Sequence, residues 1–244
     1  MYSVQIKNLN VKYQDTRVLN QVNLRVPRGV RVGIIGPNGA GKSTLIKAIL
    51  NLIPSDAEEI TFLGKKFDHI KKEIAYVPQR ETVDWSFPIS LEEVVMMGRY
   101  GKLGLFKRPK EKDHLVVSKV LEQVNLTDLR KQQIGQLSGG QQQRTFVARA
   151  LAQEPEIYFM DEPFVGVDVP TEEIIVDLLK DITASGKTVF IVHHDLNKAK
   201  DYFDYIILLN KEIIAAGYTE DVWRPEFITK CFGAGVEPLL QPNI

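Results

Sequence analysis

The chain has a single cysteine, Cys231, in 244 residues. That excludes an intramolecular disulfide and any metal centre built from several cysteines, and it fits a reducing compartment with the thiol used for packing. Charge of one sign is not in excess either: Lys plus Arg and Asp plus Glu each number 31. No global basic surface points to nucleic acid or to an anionic membrane, so any charged ligand must be held locally. No stretch approaches the roughly 18 to 20 apolar residues needed to span a bilayer. The opening MYSVQIKNLNVKY lacks the order of a signal peptide, and the expectation is a cytosolic chain. Repeats and low-complexity tracts are missing as well. What remains is ordinary globular composition, 44% hydrophobic and 25% charged, at a length that suits one large α/β domain or one domain with an inserted lobe.

Alternation in Val4-Gln5-Ile6 and in Val22-Asn23-Leu24-Arg25-Val26 predicts antiparallel strands near the N-terminus, divided by the polar turn Gln14-Asp15-Thr16. The apolar run Arg31 to Ile35 breaks into a glycine-rich segment and is followed by helical pattern from Lys42 to Leu52. From about Leu91 to Leu151 the chain reads mainly helical, with Leu115, Val116 and Val120 spaced along one apolar stripe beside charge. Strand pattern returns at Ile157-Tyr158-Phe159-Met160 and Val189-Phe190-Ile191-Val192, separated by helix from Glu172 to Ala184. This alternation predicts a parallel sheet. Asp204 to Gly217 reads as a hairpin, and the tail after Phe232 as irregular.

The segment Gly36-Pro37-Asn38-Gly39-Ala40-Gly41-Lys42-Ser43 fits G-x-x-x-x-G-K-[ST], between a strand and a helix where its mechanism needs it. Glycines let backbone N–H groups face phosphate oxygens without an intervening side chain, and the helix N-terminus adds partial positive charge. Lys42 is placed to reach the β and γ phosphates and Ser43 to bind magnesium, with Thr44 completing the nucleotide-binding stretch. Ile157 to Met160 runs into Asp161 and Glu162, a buried strand ending in two carboxylates at the edge where α/β sheets bind ligands. Asp161 is the candidate magnesium holder and Glu162 the candidate base that polarises the attacking water.

Between these lies Leu137-Ser138-Gly139-Gly140-Gln141, followed by Gln142-Gln143-Arg144. It resembles the signature of the ABC transporter ATPases, and the other elements of that family follow in order along nearly the whole chain. The resemblance implies a P-loop ATPase spanning residues 1–244 as one domain. Its parts are a parallel RecA-like core sheet, an N-terminal antiparallel β-subdomain and a helical signature subdomain inserted at about residues 89–151. It implies ATP and Mg²⁺ as cofactors and a head-to-tail homodimer. In that dimer Ser138, Gly139, Gly140 and Gln141 of one copy cap the γ-phosphate held by the other copy's glycine loop. Tyr13 stands where the family stacks an aromatic on adenine. Gln79, in Tyr76-Val77-Pro78-Gln79, stands where a glutamine touches magnesium and links the nucleotide to the helical lobe. Asp168, in Gly166-Val167-Asp168, matches the loop where the two copies meet, and His194 matches the γ-phosphate contact. His193, His194 and Asp195 could be read as a metal site, but neighbours on a strand point to opposite faces and chelate one ion poorly. His69 and His114 lie in charged surroundings and read as solvated.

Asp84-Trp85-Ser86-Phe87-Pro88-Ile89, Met97-Gly98-Arg99-Tyr100-Gly101, Phe164 to Asp168 and the doubled histidine resemble the ATPases of bacterial manganese, zinc and iron importers. The aromatics Trp85, Phe87 and Tyr100 read equally well as packing of the lobe. The resemblance implies integral membrane permease subunits as partners and a metal-binding extracytoplasmic receptor as an indirect one. It places the chain peripherally on the cytoplasmic face of the membrane. Nothing implies nucleic acid. Manganese is favoured over zinc or iron without a residue that says so. An exporter subunit, or an ATPase of another importer, stays open. So does a soluble ABC ATPase of DNA repair or translation, although the coiled coil or second ATPase domain usual there is missing from the sequence.

Overall fold

A computed structural model describes residues 2–103 and 107–233. In chain order the elements are β1 (Tyr2–Tyr13), β2 (Thr16–Pro27), β3 (Arg31–Ile35), α1 (Lys42–Ile49), β4 (Glu59–Phe62), α2 (Phe67–Ile70) and β5 (Ile74–Val77). Then come α3 (Leu91–Leu103), α4 (Glu111–Gln123), α5 (Gly139–Ala152), β6 (Ile157–Asp161), α6 (Val169–Ala184), β7 (Thr188–His193) and α7 (Leu196–Tyr202). β8 (Tyr205–Asn210), β9 (Glu212–Tyr218), α8 (Thr219–Val222) and α9 (Pro225–Phe232) complete the described part. The irregular tail expected after Phe232 lies outside the described residues, Gly233 aside.

The chain divides into two compact units, Met1–Lys71 with Thr183–Ile244, and Lys72–Ile182. The first holds a three-stranded antiparallel sheet in the order β2-β1-β4. β1 is much longer than its alternating segment suggests. Val4 and Ile6 are buried, then Leu9 and Val11, so the inward phase slips by one residue between them. Asn8, at φ 50°, sits at that irregularity and its N–H donates to Oδ1 of Asn23 at 3.0 Å. A bulge of this kind breaks a strict period of two and hides half the strand from pattern reading. The same unit holds β3 between two parallel neighbours, β7 and β8, with β9 antiparallel beside β8. Every residue of β7 is buried, as expected of a strand covered on both faces.

The second unit pairs β5 with β6 in parallel and packs α3, α4 and α5 on one another. Three helix expectations shift. α1 stops at Ile49 rather than Leu52, because Asn51 turns left-handed at φ 55°. α6 begins at Val169, three residues before Glu172, because Oδ1 of Asp168 accepts the Thr171 N–H at 3.2 Å and Pro170 suits a first turn. On α4 the buried stripe is Val117, Val120 and Leu121, while Leu115 is 64% exposed, so the apolar face is rotated from the expected one.

Candidate functional site

In the first unit the strand β3 leads directly into the glycine segment. Gly39 and Gly41 take φ 79° and 95°, left-handed values that a side chain would strain, and Gly41 opens α1. Gly36 is needed for close approach: a Cβ there would stand 2.0 Å from the Leu209 carbonyl oxygen. The loop is pinned further on, where the Ala40 carbonyl accepts the Lys211 N–H from the β8–β9 turn at 2.9 Å. Lys42 is 7% exposed, and its Nζ donates to the carbonyls of Gly36 at 2.9 Å and Pro37 at 3.0 Å. The ammonium is thus held against the inside of its own loop, while Asn38 and Gly39 face outward. Ser43 and Thr44 lie half-buried in the first turn of α1.

Ile35 pairs with His193 across β3 and β7, so the glycine loop and His194 leave the sheet at the same carboxyl edge. His193 is buried and His194 exposed, and Oδ1 of Asp195 accepts the Asn197 N–H at 2.9 Å as the cap of α7. Three neighbours with three different surroundings make no chelate. Tyr13 ends β1 and is 48% exposed. The thiol of Cys231 donates to the Leu209 carbonyl at 3.5 Å, and burial pushes it up to about 11, which makes it a packing residue. His69 and His114 are both exposed.

The second unit gathers the other residues. Val77 pairs with Met160 across β5 and β6, so Gln79 and the Asp161–Glu162 pair emerge at one edge. Asp161 is the last residue of β6 and is 1% exposed. Burial, with the Asp161 carboxylate nearby, pushes the Tyr76 phenol up to about 12. Glu162 has φ 53°, a costly conformation for a residue with a Cβ, and strain of this sort concentrates at functional positions. Its Oε2 accepts from Nε2 of Gln79 at 3.0 Å. Ser138 caps α5: its Oγ accepts the Gln141 N–H at 3.3 Å, while Gln141 Oε1 accepts the Ser138 N–H at 2.8 Å. Gly139 and Gly140 form the first turn. A Cβ on Gly140 would meet the Thr171 Oγ1 at 2.8 Å, so the start of α6 lies against this turn. The Thr171 hydroxyl, with its backbone N–H, holds the Asp168 carboxyl below its usual range.

The segment around Gly98 has a packing explanation that the sequence did not reveal. A Cβ on Gly98 would come within 2.2 Å of the Arg149 carbonyl oxygen, so α3 lies directly on the backbone of α5. Next to it Arg99, 6% exposed, donates to Asp113 Oδ1 at 3.1 Å, to the Ala152 carbonyl at 2.7 Å and to Glu154 Oε2 at 2.6 Å. Gly98→Ala is therefore expected to destabilise the fold by about 1–3 kcal/mol through overpacking, read as a lower urea midpoint at unchanged slope. An unchanged midpoint would show that the helices move apart freely. Of the three aromatics, Trp85 packs edge-on against Phe146 at 5.1 Å, whereas Phe87 and Tyr100 are 61% and 54% exposed.

A buried parallel strand that turns through left-handed glycines into a helix, with a lysine closing the loop, places the chain among the P-loop nucleotide-binding proteins. The ABC transporter family profile matches residues 19–165. The chain is 52% identical over 233 residues to the manganese transport system ATP-binding protein MntB of Bacillus subtilis (strain 168), covering 96% of this chain and 93% of that one. It is 45% identical over 242 residues to the zinc transport system ATP-binding protein TroB of Treponema pallidum (strain Nichols), covering 99% and 91%. A solved ATP binding subunit of an ABC transporter superposes with a TM-score of 0.80 at 26% identity over 97% of each chain. The chain belongs to the ABC transporter family and is built as its ATPase subunit. Among the described residues no helix is long and apolar enough to cross a membrane.

Sequence reasoning missed Arg80 and Thr171, which lie against Gly139 and Gly140, and it quoted Gln142 after the signature stretch without its hydrogen bond to Arg80. Only the position of Arg80 directly after Gln79 could have drawn attention to it.

Proposed function

We propose that the chain binds ATP with Mg²⁺ and hydrolyses it to drive import of a divalent metal ion, with manganese as the favoured cargo and zinc or iron as the others. The observation that carries this reading is the loop Gly36 to Ser43, a backbone cradle with a buried ammonium at its centre and a helix behind it. The manganese preference is supported by the 52% identity to a relative named for manganese, against 45% to one named for zinc.

In this reading the amides of Gly36 to Thr44 and the Lys42 ammonium bind the phosphates, and Tyr13 stacks on adenine. Glu162 accepts the proton of the attacking water, oriented by Gln79, and His194 donates to the γ-phosphate. The hydroxyl of Ser43, the buried carboxylate of Asp161 and the amide oxygen of Gln79 are hard oxygen donors, a set that fits Mg²⁺. These residues would hold the ion, which neutralises phosphate charge when bound.

Two copies pair head to tail, with Ser138 to Gln141 of each capping the other's nucleotide and Asp168 at the seam. Residues 1–244 work as one ATPase domain whose helical subdomain, about 89–151, meets a membrane permease at the cytoplasmic face. An extracytoplasmic metal-binding receptor acts only through that permease, and no nucleic acid is involved. Deletion of the gene is expected to reduce uptake of radiolabelled manganese to background, with recovery by the native gene and none by Lys42→Ala. Loss confined to labelled zinc or iron would reassign the cargo. Unchanged uptake of all three metals would overturn the import reading.

A further inference from the structure

Arg80 joins two parts of the second unit that the sequence keeps far apart. Its Nε donates to Oε1 of buried Gln142 on α5 at 3.0 Å. Its guanidinium lies against Gly139, where a Cβ would stand 3.2 Å from both Cζ and Nη1. The Arg80 backbone is anchored as well, because its carbonyl accepts the indole N–H of Trp85 at 3.0 Å. That indole packs on Phe146 of α5 and carries the Arg80 guanidinium over its ring at 6.0 Å. On the other side, Gln79 donates to Glu162. A continuous set of contacts therefore runs from Glu162 through Gln79 and Arg80 to the first turn of α5.

The chemistry of this placement is informative. A cation beside a helix N-terminus opposes the helix dipole by about 0.3–1 kcal/mol, so helix stability alone would not select arginine there. A planar fork held by a hydrogen bond, with the Trp85 ring 6.0 Å away, is pre-organised and follows its partners more closely than a flexible ammonium chain would. We propose that Arg80 is a positioning residue for ATP hydrolysis, coupling the position of Gln79 to the orientation of the signature turn Ser138 to Gln141. The proposal rests on the ATPase reading above.

The test uses the full chain carrying Trp223→Phe, which leaves Trp85 as the only tryptophan. Arg80→Ala is expected to lower kcat by about tenfold or more while ATP affinity stays within about twofold of the parent. The change in Trp85 emission on adding Mg-ATP should disappear with it. Arg80→Lys, which keeps the charge but not the fork, should recover only part of kcat. Gln142→Leu should reproduce the loss, and the double variant should be no worse than either single one, since both break one link. A kcat for Arg80→Ala within about twofold of the parent, or losses that multiply in the double variant, would overturn the proposal. If Arg80→Ala fails to fold, Gln142→Leu decides alone, and full kcat there overturns it. Glu162→Gln and the parent run alongside: no ATP turnover in the parent chain would overturn the ATPase reading, whatever Arg80→Ala does, whereas parental turnover in Glu162→Gln would remove only Glu162 as the base.

Discussion

Glu162→Gln is expected to bind ATP as the native chain does and to lose about 10²–10⁴-fold in turnover, the range that a positioned general base contributes. The substitution removes only the ability to take a proton. Glutamine has the same shape, and its side-chain carbonyl can still accept from Nε2 of Gln79, which lies 3.0 Å from the native carboxylate. The left-handed backbone at residue 162, φ 53°, is a property of the turn after β6 and is unchanged by an isostere. Binding should therefore survive, and with hydrolysis blocked the ATP-bound homodimer should accumulate. Phosphate release, equilibrium dialysis with labelled ATP and size-exclusion chromatography in ATP separate the three outcomes. Turnover at the native rate would remove Glu162 as the base, and lost binding would show that the residue holds the site together.

Lys42→Ala should fail in the opposite way. The ammonium is buried and held by two carbonyls of its own loop, so the native chain already carries much of the desolvation cost of a charge at that point. A pre-organised ammonium of this kind suits a polyanion such as the phosphates of ATP. Truncating one partner of a buried charge pair costs about 2–5 kcal/mol, which is a loss of roughly 30-fold or more in ATP affinity. Titration calorimetry with Mg-ATP would measure it directly. An affinity within about threefold of native, hence under about 1 kcal/mol, would mean that Lys42 is structural. Together the two variants separate binding from chemistry, which a single loss of activity cannot do.

The loop at Gly36 to Ser43 was legible because everything it needs is local. An apolar strand, glycines at the left-handed positions, a lysine and a helix start all lie within about a dozen residues, so the motif carries its own geometry. The capping box of Ser138 and Gln141 is equally local, and the same four residues that start the helix carry the resemblance to the family signature. The parallel strands were legible from their unbroken apolar runs at β6 and β7. β1 was only partly so, since the irregularity at Asn8 shifts its inward face and no composition rule marks that shift.

The remaining features depend on which distant residues meet. A glycine read from sequence is the same letter whether it faces phosphate or packs against a helix. At Gly36 and Gly98 the reason is a carbonyl 2.0 or 2.2 Å from a would-be Cβ, belonging to Leu209 and Arg149. Arg99 looked like part of a family segment and is a buried ion-pair centre, joined to Asp113 on α4 and to Glu154 in the turn after α5. Arg80 and Gln142 lie 62 positions apart and meet only when the segment after β5 folds onto α5. Family, nucleotide chemistry and the local motifs could thus be read from the order of residues, because short-range geometry follows from short-range sequence. Which glycines are steric, which charges are buried and how Gln79 is tied to the signature turn were set by packing, where partners are chosen by the fold rather than by their spacing along the chain.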